Sequence, residues 1–314
     1  MTALPTKPFR FGVQSQNAPD AKAWRDRARK VEDLGYSTFW IPDHFGEQWG
    51  PIAALTAAAD ATTTLKVGAL VFDNDYRHPG MLAKEMATLD ILSEGRMEFG
   101  IGAGWMKSDY EEYGIPYDSP GTRIERMVEG LAVIKQMWTE GVANFEGKHY
   151  RYTNAKGEPR PVQQPHPPVL IGGGGKRMLT IAAQQADIVG FNTTLTAGYV
   201  GPEAAAEATA EKFAQRVEWV TQAAGDRLDQ LEFQCWTGFA FVDQDRQQVA
   251  EMMAPMFGLE PAEALRVPIV IVGSVDEIVE TLQQRREEYG FSYWCVPGDA
   301  YEAMAPVVAK LAGT

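Results

Sequence analysis

The chain has 314 residues, 45% hydrophobic and 23% charged, and none of its apolar runs approaches the roughly 20 residues that cross a bilayer, which excludes a membrane span. A net charge of −13 and the lack of a basic stripe interleaved with aromatics exclude a nucleic-acid partner. Two cysteines without paired spacing, Cys235 and Cys295, exclude a disulfide framework, a zinc site and a redox CxxC, and both read as core thiols; with no export or organelle signal pattern in the first residues, the cytoplasm is the expected address.

Along the chain, short β-rich runs alternate with longer helical patterns, the mark of a parallel sheet built from βα units. Phe9–Ser15 (FRFGVQS) is the first expected strand. Asp20–Asp33 follows as a helix capped by Asp20 and ended by Gly35. Thr38–Pro42 is the second strand, Pro51–Thr62 an alanine-rich helix opened by proline, Leu65–Phe72 the third strand and Pro79–Leu92 its helix. Arg96–Ile101 is the fourth strand. Gly121–Thr139 is an amphipathic helix with Met127, Leu131, Ile134 and Trp138 on one face. The segment 141–168 breaks the rhythm: NFEGKHYRYT reads as a hairpin turning at Gly147, followed by a proline-rich extended stretch.

The alternation resumes with strand Val169–Ile171, helix Lys176–Gln185, strand Ile188–Phe191 and a long helix Glu203–Ala224. Phe233–Val242 is the seventh strand, and helices are expected at Arg246–Phe257 and at Ser274–Tyr289, the latter opened by a Ser274/Glu277 capping box. Tyr293–Val296 is the eighth strand and Tyr301–Leu311 the closing helix, which leaves Pro268–Val272 as an extra or alternative strand. The count implies a (β/α)₈ TIM barrel spanning 1–314 as one domain with loop insertions. An open Rossmann sheet is the runner-up. It lacks its glycine fingerprint, because Gln16-Asn17-Ala18-Pro19 follows the first strand.

In such a barrel the chemistry sits where strands end. Asp43 and His44 follow the second strand, where an imidazole can serve as acid, base or hydrogen-bond partner of a ring carbonyl, or simply pack among Trp40, Phe45 and Trp49. Gly102-Ala103-Gly104-Trp105 follows the fourth strand, and its missing β-carbons allow close approach of a planar or phosphorylated ligand. Gly172, Gly173, Gly174 and Gly175 stand between a strand and a helix that opens with Lys176 and Arg177, a plausible phosphate cradle. Asp73-Asn74-Asp75 and His78 imitate a metal site, but no two histidines accompany the first strand and HExxH is absent, so His78 is expected to cap or anchor the next helix.

Taken together, FWIPDHF (39–45), LKVGALVF (65–72) with RHP (77–79), SEGRMEFGIGAGW (93–105), PPVLIGGGG (167–175) and AAQQADIVGF (182–191) resemble the luciferase-like monooxygenases, and their branch that uses the deazaflavin coenzyme F420. The resemblance runs from about Phe9 to Leu311. It implies that His44 faces the cofactor ring and assists proton or hydride movement, with Asp43 supporting its orientation. It also implies cofactor contacts at Ala69, Leu70, Val71, Gly102, Gly104, Trp105, Gly172 to Gly175, Lys176, Arg177 and Phe191, with a non-proline cis peptide at Leu70–Val71. Trp105 departs from the family's sugar-phosphate dehydrogenases, which carry a glutamate there, so that substrate is not expected. The implied function is hydride transfer between coenzyme F420 and a small organic substrate by a cytoplasmic homodimer. FMN is the alternative cofactor, which would make the chain a monooxygenase, and a non-catalytic flavin-binding protein is the alternative of another class. Lys107, Lys176 and Arg177 are candidates for a basic exit that the longer deazaflavin tail would need.

Overall fold

A computed structural model of the chain describes residues 4–195 and 197–314; Thr196 lies outside the described residues. The chain divides into two compact units, each assembled from separated stretches of sequence. No single boundary therefore cuts the sequence in two.

The first unit comprises the chain up to Ser15, Lys30–Thr38 and Leu170–Thr314. Its strands are parallel: Arg10–Gln14 pairs with Phe291–Pro297, which pairs with Glu232–Trp236, then Ile188–Phe191, then Val169–Gly173. Alternation along the strands puts Phe11, Val13, Val189, Phe233 and Trp294 into a fully buried layer. Cys235 and Cys295 are buried free thiols, and burial pushes Cys235 up to about 12 and Cys295 further, so both serve as core residues.

Two expectations change here. The run 233–242 is two strands: Glu232–Trp236 stays in the main sheet, while Phe239–Val242 pairs in parallel with Val270–Gly273 as a separate two-stranded sheet. The surplus 268–272 run thereby finds its partner. The expected long helix from Glu203 is also two, Pro202–Ala206 and Ala210–Ala224, because Thr209 caps a fresh helix by accepting from the Lys212 N–H.

The second unit comprises Gln16–Arg29 and Phe39–Val169. Helix Pro120–Glu140 buries Met127, Leu131, Ile134 and Trp138 as its spacing requires. The excursion is an antiparallel hairpin, Val142–Glu146 with Arg151–Lys156, whose turn is held by the Glu129 carboxylate accepting the N–H groups of Lys148, His149 and Tyr150. These bonds keep the Glu129 carboxyl below its ordinary value against an opposing push from burial. The expected 65–72 strand is interrupted. Lys66–Ala69 ends, the Leu70–Val71 peptide is cis, and the chain resumes as Phe72–Asp73 beside Ile101 and Gly102. A β-carbon on Gly100 would stand 2.1 Å from the Ala69 carbonyl oxygen, and one on Gly102 would stand 2.6 Å from Val71 Cγ2, so both glycines are required by close chain approach.

Among the described residues no helix is long and apolar enough to cross a membrane.

Candidate active site

Strand Thr38–Ile41 ends two residues before Asp43, so Asp43 and His44 stand at its carboxyl end in the second unit. His44 Nδ1 lies 2.7 Å from Asp109 Oδ2, and the Tyr76 hydroxyl donates to the same oxygen at 3.0 Å. Asp109 comes from Lys107–Tyr113, a short helix absent from the sequence-based assignment, and is 4% exposed. Asp43 does different work. Its Oδ1 accepts from Arg77 Nη2 at 2.9 Å, its Oδ2 accepts from Arg77 Nη1 at 2.5 Å, and Oδ2 also takes the Asp73 N–H at 3.1 Å. Orientation of the imidazole, expected from Asp43, therefore comes from Asp109, while Asp43 anchors Arg77 and the turn at Asp73.

Behind this pair lies a second polar layer. The Tyr110 hydroxyl donates to Asp73 Oδ2 at 2.9 Å and to Asp75 Oδ2 at 3.2 Å. Arg126 forks onto both Asp75 oxygens at 2.6 Å and reaches Asp118 at 2.8 Å, and the Asp75 bond is the main reason its guanidinium is held above its ordinary value. Asp73 has no cation on it among the contacts described, and burial pushes its carboxyl up to about 7. Burial likewise raises Tyr76 and Tyr110, so both hydroxyls are donors at neutral pH. Gly104, at φ +74°, is part of this layer: a β-carbon there would meet Tyr110 Oη at 1.8 Å and Asp73 Oδ2 at 2.3 Å. Trp105 meets His44 edge to face, centroids 5.3 Å apart, and its carbonyl accepts from the Tyr117 hydroxyl at 3.0 Å.

His78 occupies the N-cap position of helix Pro79–Leu92, but its side chain makes no cap bond and instead lies 3.1 Å from the Tyr152 hydroxyl of the hairpin. Lys107 is exposed and paired with Glu111 at 3.1 Å.

The glycine-rich segment belongs to the first unit. Gly172 and Gly173 end strand Val169–Gly173, and Gly175 opens helix Lys176–Gln185 with no side-chain cap. Gly174 is required by the protein itself, since a β-carbon there would lie 2.4 Å from the Thr193 main chain. At Gly175 the same addition meets nothing within 4 Å. Arg216, missed in the sequence, is 1% exposed and holds the segment: Nε donates to the Gly174 carbonyl at 2.9 Å, Nη1 to the Glu207 carbonyl at 2.7 Å and Nη2 to the Glu207 carboxylate at 2.8 Å. Lys176 Nζ sits 5.9 Å from the Trp219 ring centroid, and Phe191 is buried against Phe233 and Phe291.

The chain belongs to the luciferase-like monooxygenase family, whose model matches residues 3–293. Among curated relatives, an uncharacterized protein of Mycobacterium tuberculosis is 30% identical over 171 residues, covering 47% of this chain and 59% of the relative. The chain thus spans about three-fifths of that relative's length. A 5,10-methylenetetrahydromethanopterin reductase of Methanopyrus kandleri is 27% identical over 286 residues, 86% of this chain and 74% of the relative. An FMNH(2)-dependent dimethylsulfone monooxygenase of Pseudomonas putida is 31% identical over 127 residues, 40% of this chain and 35% of the relative. The solved structure of a coenzyme F420 dependent tetrahydromethanopterin reductase from Methanopyrus kandleri superposes with a TM-score of 0.77 at 22% identity, covering 97% of this chain and all of that one. That likeness establishes the fold as the α/β barrel of the bacterial-luciferase type.

Proposed function

We propose that this protein is an oxidoreductase that exchanges a hydride between coenzyme F420 and a small organic substrate, with His44 managing the accompanying proton. The observation that carries the reading is the His44 Nδ1···Asp109 Oδ2 bond of 2.7 Å. With Nδ1 committed to a buried carboxylate, Nε2 is the edge of the ring left to take or give a proton. The Asp109 charge favours the imidazolium as it forms, and Tyr76, donating to the same oxygen, limits how far that carboxylate swings.

A phosphate-bearing flavin or deazaflavin fits the residues of the first unit: the uncapped helix start at Gly175 leaves main-chain N–H groups and open space, and Arg216 fixes the turn before it. When bound, a deazaflavin supplies two-electron hydride chemistry, whereas FMN adds oxygen chemistry. The likeness to the methanopterin reductase favours the deazaflavin; the likeness to the FMNH(2)-dependent monooxygenase supports the second reading, a flavin monooxygenase.

Titration of the purified protein with oxidised coenzyme F420 and separately with FMN, followed by tryptophan fluorescence, tests this. Tight binding of coenzyme F420 with little response to FMN is expected. The reverse preference replaces hydride transfer by oxygenation, and binding of neither removes the reading altogether. His44→Ala is expected to keep cofactor binding and lose turnover.

A further inference from the structure

The inference rests on the reading of His44 as the proton-handling group and concerns what is set against it. The side chains of the second unit around the imidazole fall into two sets. One is aromatic. Trp105 stands edge-on to His44, Phe45 stacks on Tyr113 with centroids 3.9 Å apart, and Phe45 also leans on Tyr76 at 4.5 Å. Tyr113 is 57% exposed, so this ring pair reaches solvent. Trp105 is only partly buried, although its main chain is fixed on one side by Tyr117 and on the other by Gly104. Its indole meets the His44 ring edge to face without being packed into the core.

The other set is charged, and its cations are already committed. Arg77 is bound to Asp43, Arg126 to Asp75 and Asp118, and Arg123, 4% exposed, to the carbonyls of Ala103, Asp118 and Gly104. Against these three guanidinium groups stand four carboxylates, Asp43, Asp75, Asp109 and Asp118, beside the partly protonated Asp73. An incoming carboxylate or phosphate would find no uncommitted guanidinium in this cluster and a surplus of like charge. An uncharged ring would meet edges and faces of other rings.

We propose that the substrate side of His44 is an aromatic subsite that selects uncharged planar molecules over anionic ones, with Trp105 supplying the ring contact and the carboxylates the selection by charge. The protein loaded with coenzyme F420 is titrated calorimetrically at pH 7 with 2-naphthol and with 2-naphthoate, two probes that share a ring system and differ in charge. Wild type is expected to bind the naphthol at least about tenfold more tightly. Trp105→Ala should weaken naphthol binding by about tenfold or more, and Trp105→Phe should retain most of the affinity. Naphthoate binding as tight as naphthol, or a Trp105→Ala protein that binds naphthol like wild type, overturns the proposal. Thermal melts identify a misfolded alanine variant, in which case the wild-type pair and Trp105→Phe still decide. Cofactor affinity measured on the same samples separates the two readings: intact coenzyme F420 binding without charge selection defeats this proposal alone, whereas absent cofactor binding defeats the proposed function and leaves the probe comparison to be made on the unloaded protein.

Discussion

Asp109→Asn exchanges one oxygen for an NH₂ group at nearly constant shape, and so isolates the charge that faces His44. In the native site one oxygen, Oδ2, accepts from His44 at 2.7 Å and from Tyr76 at 3.0 Å. A hydrogen bond to a charged group contributes about 1.5–3 kcal/mol and a neutral one about 0.5–1.5, so neutralising the acceptor removes roughly 1–2 kcal/mol from the imidazolium. At about 1.4 kcal/mol per factor of ten, turnover falls by roughly five- to thirtyfold. The loss grows further where the amide turns its NH₂ toward Nδ1, because the proton then moves to Nε2 and the basic edge is lost. The assay is steady-state kcat with reduced or oxidised cofactor, alongside fluorescence titration of the cofactor, whose affinity should not change. Tyr76→Phe is the control: it removes a neutral donor from Asp109 but leaves the His44 bond, and should cost less. Wild-type turnover in Asp109→Asn, or an equal loss in Tyr76→Phe, refutes the argument that the Asp109 charge supports the imidazole.

Two further perturbations address the layers around the site. Burial pushes Asp73 up to about 7, above the roughly 3.9 of an unfolded aspartate, so between these values the native chain holds a proton that the unfolded chain has released. Stability from this group therefore declines as pH rises from about 4 to 7, by up to about 1.4 kcal/mol per pH unit. Asp73→Asn removes the ionisation; the melting temperature of wild type relative to the variant should be lower at pH 8 than at pH 5, and a pH-independent difference contradicts the assignment. Arg216→Ala leaves the buried Gly174 carbonyl and the part-buried Glu207 oxygens without this donor, which should destabilise by about 1–3 kcal/mol in urea unfolding and weaken cofactor binding. Arg216→Lys, a point charge without the planar fork, should restore part of both. A variant as stable as wild type would show that the glycine turn does not depend on this residue.

Local pattern was enough to reveal most of the architecture, since burial period, proline at helix starts and glycine at helix ends each act over a few residues. Where the reading of the sequence went astray, the deciding partner lay far along the chain. LKVGALVF reads as one strand from its local pattern, and only the family resemblance pointed to the cis peptide found at Leu70–Val71, where Gly100 and Gly102 bring the neighbouring strand within reach. FQCWTGFAFV likewise reads as one strand until Val270–Gly273 pairs with its second half alone. The site followed the same rule. The family resemblance implied that Asp43 orients His44, but the carboxylate hydrogen-bonded to the imidazole is Asp109, 65 residues later. Its helix has seven residues and carries KSDYEEY, too short and too polar for periodicity to register. Arg216 was hidden differently, as one cation on a helix of mixed charge, 42 residues from the carbonyl it holds. Four successive glycines announced a turn where something approaches closely, and at Gly174 that something is the protein's own chain at Thr193, while Gly175 faces open space. A run of glycines thus records proximity without naming its cause. The distinction between a glycine required by the fold and one left open for a ligand is made only by what stands opposite each missing β-carbon.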